Sequence, residues 1–292
     1  MALPVVNNTP KHQHFVPCSF LTRFAINEQG RSTRDRRIWV FDDVRCREST
    51  VEREGYANNI YGVGQDAVRA EETFQAFENE YVRIMAILDS HRGPRLALSP
   101  KDEFSLFFFA LHLYLRNRSV EVDGISDRMQ ANQDAFWTLL GDLLSMPQTI
   151  ADPRTGAQRL SQYQTLWEAN LFETGSRGLI VSDNPVVLWA HGDVTAMIYL
   201  PLDKVTFIVF HQRTILRKTS VPVSDNDVRR LHGACYGQRL RFSYADHPFD
   251  GYITGDLTAS LPDELRPSIS PSKLGLSRAI ISRPFDFMGF HQ

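Results

Sequence analysis

Lysine is scarce in this chain. It occurs only at positions 11, 101, 204, 218 and 273, so nearly all positive charge is arginine. Arginine presents a planar fork of donors suited to carboxylate and phosphate, although the same bias follows from codon usage in a GC-rich genome. The formal net charge is −2. That excludes a uniformly basic coat for nucleic acid and leaves room for a local basic groove. Cysteine is also rare: Cys18, Cys46 and Cys235 are odd in number, far apart, and form no CxxC pair. A disulfide framework is thereby excluded, and a reducing compartment is the simplest expectation. No apolar run approaches the roughly 18 residues that cross a bilayer. Met1-Ala2-Leu3-Pro4 lacks the basic and apolar regions of a secretory leader. The expectation is a cytoplasmic protein with no membrane partner. Also missing are GxGxxG, a Walker phosphate loop, a GxSxG elbow and HExxH, which weakens the familiar nucleotide-binding, hydrolase and zinc-protease readings.

What is present suits a globular domain. The 292 residues, 42% hydrophobic and 23% charged, are enough for one large core and too apolar for a disordered chain. Residues 1–10 read as a loose arm and 11–260 as a single domain. The proline- and serine-rich 261–292 read as a tail over the surface. Residues 15–25 begin extended and turn helical after Pro17. Strands are expected at 38–41 and 45–54, and an irregular connector at 56–64. A helix over 67–90 carries Phe74, Phe77, Tyr81, Ile84 and Leu88 at helical spacing. Ser99-Pro100-Lys101-Asp102-Glu103 opens a buried helix over 104–116. Further helices are expected over 125–146 and 162–169, with a loop at 151–159. Short strands follow at 178–182, 186–190, 196–200 and 205–210, then a helix over 225–233 and a strand at 242–246. Helices in the middle with strands mainly after them indicate an α+β fold, a helical middle packed on a mostly antiparallel sheet.

Several polar groups interrupt these apolar elements. His12 and His14, in Lys11-His12-Gln13-His14-Phe15-Val16-Pro17, are two apart and would share one face of an extended segment. Such a pair can ligate a metal with a carboxylate from elsewhere, or simply order the N-terminal arm. Glu71 and Glu78 are two helical turns apart and flank the apolar stripe at Phe74, with Glu72 and Glu80 on neighbouring faces. Paired acids hold Mg²⁺ or do acid–base work, or lie on a solvated face. His112 and Arg116 share a face of the apolar helix. A buried arginine needs a partner, so Arg116 is either a brace to the glutamates or an anion clamp. Ser182-Asp183-Asn184-Pro185 ends an apolar strand. Asp183 there is a base, a metal ligand or the start of an Asx turn, and Asn184 is a donor to substrate or part of that turn. Pro201-Leu202-Asp203 reads as turn chemistry. Arg213, Arg217, Lys218, Arg229, Arg230, Arg239 and Arg241 could follow a phosphate backbone or form a charged outer face.

The run from Lys11 to Pro17, followed by Phe20-Leu21-Thr22-Arg23-Phe24, resembles the opening signature of the bacterial domain-of-unknown-function family 4238. Asn59-Ile60-Tyr61-Gly62, Glu71 with Glu78, His112 to Arg116, Ser182-Asp183-Asn184-Pro185-Val186 and Pro201-Leu202 resemble its later motifs in order. So do Asn226, Ala234 and Phe242-Ser243. Within that resemblance His14, rather than His12, occupies the family position. Cys18 and His112 each stand where glutamine is usual, and Asp203 where serine is common. The resemblance covers roughly residues 10–245 and implies a shared fold without an activity.

The expectation is one polar cleft made by His14, Glu71, Glu78, Arg116 and Asp183, with Arg116, His112 and Asn184 as its substrate contacts. Its chemistry would be attack on a phosphoester or nucleotide-derived bond, as in a nuclease-like effector of stress or phage defence. His14, Asp183 and Glu78 are the candidate ligands for a divalent metal, and His14 is the general acid or base. Two other readings stand beside it. One is a non-catalytic module for nucleic acid or protein, with these residues as a brace. The other is a metal-free hydrolase or transferase acting on a nucleotide such as NAD, with a glutamate as base.

Overall fold

The structure is a computed structural model. It describes residues 12–28, 30–42, 45–58, 65–90, 98–118, 156–175, 178–191, 194–217, 223–238, 242–248, 279–280 and 290–291. The expected helix over 125–146 lies outside the described residues, as do the arm, Asn59-Ile60-Tyr61-Gly62, Lys218, Arg239 and Arg241. Of the expected surface tail over 261–292 only 279–280 and 290–291 are described, and these are strands paired with earlier parts of the chain rather than surface loop.

The N-terminal motif folds as the sequence predicts. Strand β1 (His12–His14) leads through Pro17, at φ −58° and ψ 139°, into the short helix α1 (Cys18–Leu21) and a 3-10 turn at Thr22–Phe24. Proline's fixed φ suits the residue that opens a helix. Strands β2 (Arg37–Phe41) and β3 (Cys46–Thr50) pair antiparallel. The expected connector departs from expectation at its start, because Tyr56–Asn58 form a strand, β4, antiparallel to β1 with His14 opposite Tyr56. Polar asparagine and a following glycine hid it, and only the long-range partner makes it a strand.

Among the described residues two long helices form the middle, α2 (Gln65–Ser90) and α3 (Pro100–Arg118). Ser99 caps α3: the Asp102 backbone N–H donates to Ser99 Oγ at 3.2 Å, and Ser99 Oγ donates back to the Asp102 carboxylate at 2.6 Å. The helices meet through Tyr81 and Phe109, stacked at 4.5 Å between centroids. The Tyr81 hydroxyl then donates to the Leu202 carbonyl at 2.7 Å, which ties α2 to the late strands.

Helix α4 (Gly156–Leu166) begins inside the expected loop and ends three residues short of the expected helix end. Trp167–Glu173 is instead strand β5. It pairs along seven residues with β9 (Thr206–Gln212), and that ladder outweighs a weak helical preference. Strands β6 (Val181–Ser182), β7 (Val187–His191) and β8 (Val194–Pro201) fall where the turns placed them. The short β10 (Leu216–Arg217), helix α5 (Asp225–Gln238) and strand β11 (Ser243–Ala245) follow, with β12 (Ala279–Ile280) and β13 (Phe290–His291) at the end.

The larger sheet has the order β12-β7-β8-β9-β5, antiparallel apart from the short β12–β7 pair. Its central strands are buried on both faces, which explains their unbroken apolar runs. The smaller sheet, β3-β2-β11-β6, joins strands from both halves of the chain. Strand β2 joins N-terminal sequence to the late strands through β11, while β1 pairs with β4. One core cluster runs from Phe15 to Tyr244 and takes in both sheets and α1 to α5. Phe107 of α3 is its hinge-pin, with ring centroids 5.1 to 5.4 Å from Tyr163, Trp167 and Phe210. The fold is α+β with a helical middle on mostly antiparallel sheet. No helix of the described residues is long and apolar enough to cross a membrane.

Candidate functional site

Tertiary packing, not proximity in sequence, brings His14, Glu71, Glu78, His112 and Arg116 to one region. Arg116 is its centre. It is 4% exposed, and its Nη1 donates to Glu78 Oε1 at 2.8 Å. Its Nη2 donates to the His14 carbonyl. Its guanidinium carbon lies 4.3 Å from the Phe74 ring centroid, a stacking that arginine's flat, weakly hydrated cation favours. The bonds found for Arg116 thus run to protein groups, as the brace reading expects, and bind α3 to both α2 and β1.

Glu71 is the acid left over. Its Oε1 is buried without a hydrogen-bond partner among the described residues. Burial pushes its carboxyl above the ordinary carboxylate range, with Glu78 adding to the rise and the Arg116 charge opposing it. His112 packs between Phe77, 3.8 Å between centroids, and Phe74, at 6.1 Å edge-on. Burial first, and then the Arg116 charge, hold its imidazole down at about 3. It is neutral at physiological pH, so as a substrate contact it offers a ring N–H or lone pair and not a positive charge.

His14 is half-buried. Tyr56 rests edge-on against it at 5.7 Å. Cys18 Sγ sits 3.5 Å from both its ring nitrogens. Cys18 follows Pro17 directly and opens α1, which sets its side chain against the imidazole. Burial pushes the Cys18 thiol up to about 11, so it stays protonated near neutral pH and is a packing partner of the imidazole rather than a thiolate nucleophile. The three cysteines are free thiols.

The strand carrying His14 is held by Gly55. The Gly55 carbonyl accepts from the Phe15 N–H at 2.8 Å and the Val16 N–H at 3.0 Å. Its φ is +64°, and a Cβ there would stand 2.9 Å from Val16 Cβ. Both the left-handed backbone and the close approach require glycine.

Asp183 and Asn184 do something different. Asp183 is 1% exposed, and its Oδ2 accepts from the Phe242 N–H at 2.9 Å, while its own N–H donates to the Phe242 carbonyl at 3.0 Å. It extends the β6–β11 ladder. The local turn belongs to Ser182, whose Oγ accepts from the Asn184 N–H at 3.2 Å and donates to the Asn184 carbonyl at 2.7 Å. The Asx-turn expectation is corrected accordingly: Ser182 makes the turn and Asp183 reaches across the sheet. Beside them Tyr244 is fully buried, and burial, with the charges of Asp183 and Glu54, pushes its phenol well up.

Among the described residues no three His, Cys, Asp or Glu side chains form a group able to hold a metal ion, so His14, Glu78 and Asp183 are not arranged as a ligand set. Asp203 is turn chemistry as expected: its Oδ1 accepts from the Val205 and Thr206 N–H groups, both at 2.8 Å. It also takes the Arg23 guanidinium at 3.3 Å, a long-range tie invisible in sequence. Of the late basic residues, Arg213 pairs with Glu168 at 3.5 Å and Arg229 and Arg230 are exposed on α5.

Neither the curated proteins nor the solved structures contain a match to this chain. The family described as protein of unknown function, DUF4238, matches residues 12–238, the stretch that runs from β1 through α5 and holds every residue of the Arg116 cluster. The chain belongs to the DUF4238 family of proteins of unknown function.

Proposed function

We propose that this protein is a cytoplasmic hydrolase acting on a phosphoester or nucleotide-derived bond by a metal-independent route, with Glu71 as the proton-transfer group. The observation that carries this reading is the state of Glu71: buried at Oε1, not hydrogen-bonded there, and raised above the carboxylate range beside a fixed arginine. A carboxyl that burial raises above its ordinary value is suited to general acid–base catalysis. The ionised Glu71 takes a proton from water as the water oxygen bonds to the electrophilic centre. The bond to the leaving group breaks, and the leaving oxygen collects its proton from the His14 ring or from solvent. Arg116 acts as a positioning residue, holding the His14 backbone and Glu78 in place.

The test is turnover of nucleotides, NAD and oligonucleotides in the presence of EDTA, for wild type and Glu71→Gln. The expected result is metal-independent turnover that falls about 100-fold or more in the variant, with the circular dichroism spectrum unchanged. Absence of turnover by the wild type on all these substrates, with and without added Mg²⁺, would overturn it.

A second reading, a non-catalytic binding module, is favoured by a specific observation. Arg116 donates to the His14 carbonyl and Asp183 accepts from the Phe242 N–H, so both are engaged by backbone groups of the protein itself. Under that reading Glu71→Gln leaves ligand binding unchanged and raises stability.

A further inference from the structure

The sheet face of β2 and β3 carries an open cavity of about 800 Å³ that none of the motifs above explains. Arg31, Arg37, Arg47 and Arg53 line it. Their carboxylate neighbours are fewer. Glu28 and Glu48 bond Arg37, at 2.5 and 3.1 Å, and Glu28 also reaches Arg31 at 3.3 Å. Glu54 takes Arg47 in a two-pronged pair at 2.7 and 3.2 Å. Arg53 is exposed and forms no ion pair among the described residues. Four guanidinium groups thus face three carboxylates: Arg31 shares Glu28 with Arg37, and Arg53 is the one left without an acid among the described residues. Ser49 and Thr50 add hydroxyls to the wall, and Tyr56 adds an aromatic ring. That same Tyr56 ring rests on His14.

We infer that this cavity binds a phosphate-bearing ligand of nucleotide chemistry. Paired arginines are held in place by their glutamates, so their outward N–H groups are presented in fixed directions, which suits a bidentate phosphate contact. The volume suits one or two nucleotide units, and Tyr56 offers a face on which a base can stack. The source is a free nucleotide or a segment of single-stranded nucleic acid. This inference concerns binding alone and is read without any reaction, so its failure and that of the hydrolase reading are separate results.

The experiment is fluorescence anisotropy with two probes, a fluorescent ATP analogue and a labelled single-stranded deoxyoligonucleotide, at low and at physiological salt. The variant is Arg31→Glu/Arg53→Glu, both side chains being exposed and outside the core. The control is Arg229→Glu/Arg230→Glu, the same charge change on α5. We expect the first variant to weaken binding of at least one probe tenfold or more and to flatten its salt dependence, while the control shifts it less than twofold. Binding of the ATP analogue alone identifies a free nucleotide as the ligand. Tighter binding of the oligonucleotide with a steep salt slope identifies a strand. No binding of either probe by the wild type, or equal losses in variant and control, overturns the site.

Discussion

Arg116 and Glu78 lie 38 residues apart in sequence, on different helices, and meet at 2.8 Å. The arginine side chain is 4% exposed and the glutamate 19%. Removing one partner of such a pair leaves the other charge desolvated and alone, which costs about 3–5 kcal/mol when burial is complete. Arg116→Leu is therefore expected to destabilise the fold by about 3 kcal/mol, and Arg116→Leu/Glu78→Leu to recover most of that loss. Urea unfolding of the two variants checks it. A single-variant loss below about 1 kcal/mol is what a solvated surface pair would give.

His112 should impose a pH dependence of definite sign. Its folded-state value, about 3, lies below that of a free imidazole. The unfolded chain therefore binds the proton first, and the stability that neutral His112 contributes is present above about pH 6.5 and is lost as pH falls toward 3. Between those limits the slope approaches about 1.4 kcal/mol per pH unit for one proton. Glu71, raised instead, works in the opposite direction: its contribution is present at low pH and lost as pH rises through its folded value. Subtracting the urea midpoints of His112→Phe from those of wild type, between pH 7 and 4, isolates the histidine. A slope unchanged by the substitution would show that the ring is hydrated.

Gly55→Ala is expected to lose well over 1 kcal/mol, because it adds a left-handed backbone penalty to a 2.9 Å contact with Val16 Cβ. The damage should be local to the His14 strand. Amide exchange of Phe15 and Val16, whose N–H groups bond the Gly55 carbonyl, should accelerate more than that of the β8–β9 ladder. Uniform acceleration of both would mean that the strand is not separately anchored.

Asp183→Ala removes the buried carboxylate that accepts from the part-buried Phe242 N–H, a loss of about 1–3 kcal/mol. Asp183→Asn keeps an amide oxygen at the same place and should lose less. Thermal unfolding of the pair decides it, and equal losses would mean that the charge rather than the acceptor matters.

Much of this arrangement was legible in the residue order. The aromatic spacing from Phe74 to Leu88 placed α2, Ser99 and Asp102 marked the start of α3, and the apolar runs after Gly178 placed β6 to β9. The need of Arg116 for an acid followed from its apolar helix, and Glu78 lies where helical periodicity offers one. The strand at Tyr56–Asn58 and the strand at Trp167–Glu173 were not legible, because each exists through a partner distant in sequence, β1 in one case and β9 in the other. For the same reason the cavity beneath Arg31 and Arg53 could not be read from a list of arginines.

Sequence alone determined the composition of the core, the periodicity that makes helices and strands, and the identity of the polar residues that interrupt them. These follow from local chemistry and spacing, which neighbours in the chain already contain. The tertiary structure decided which of those polar residues have work left to do. It paired Arg116 with Glu78 and the His14 carbonyl, joined Asp183 to Phe242, and buried Glu71 Oε1 without a bond. Burial and hydrogen bonding depend on what packs against a side chain in space, and that is set by contacts between segments far apart in sequence.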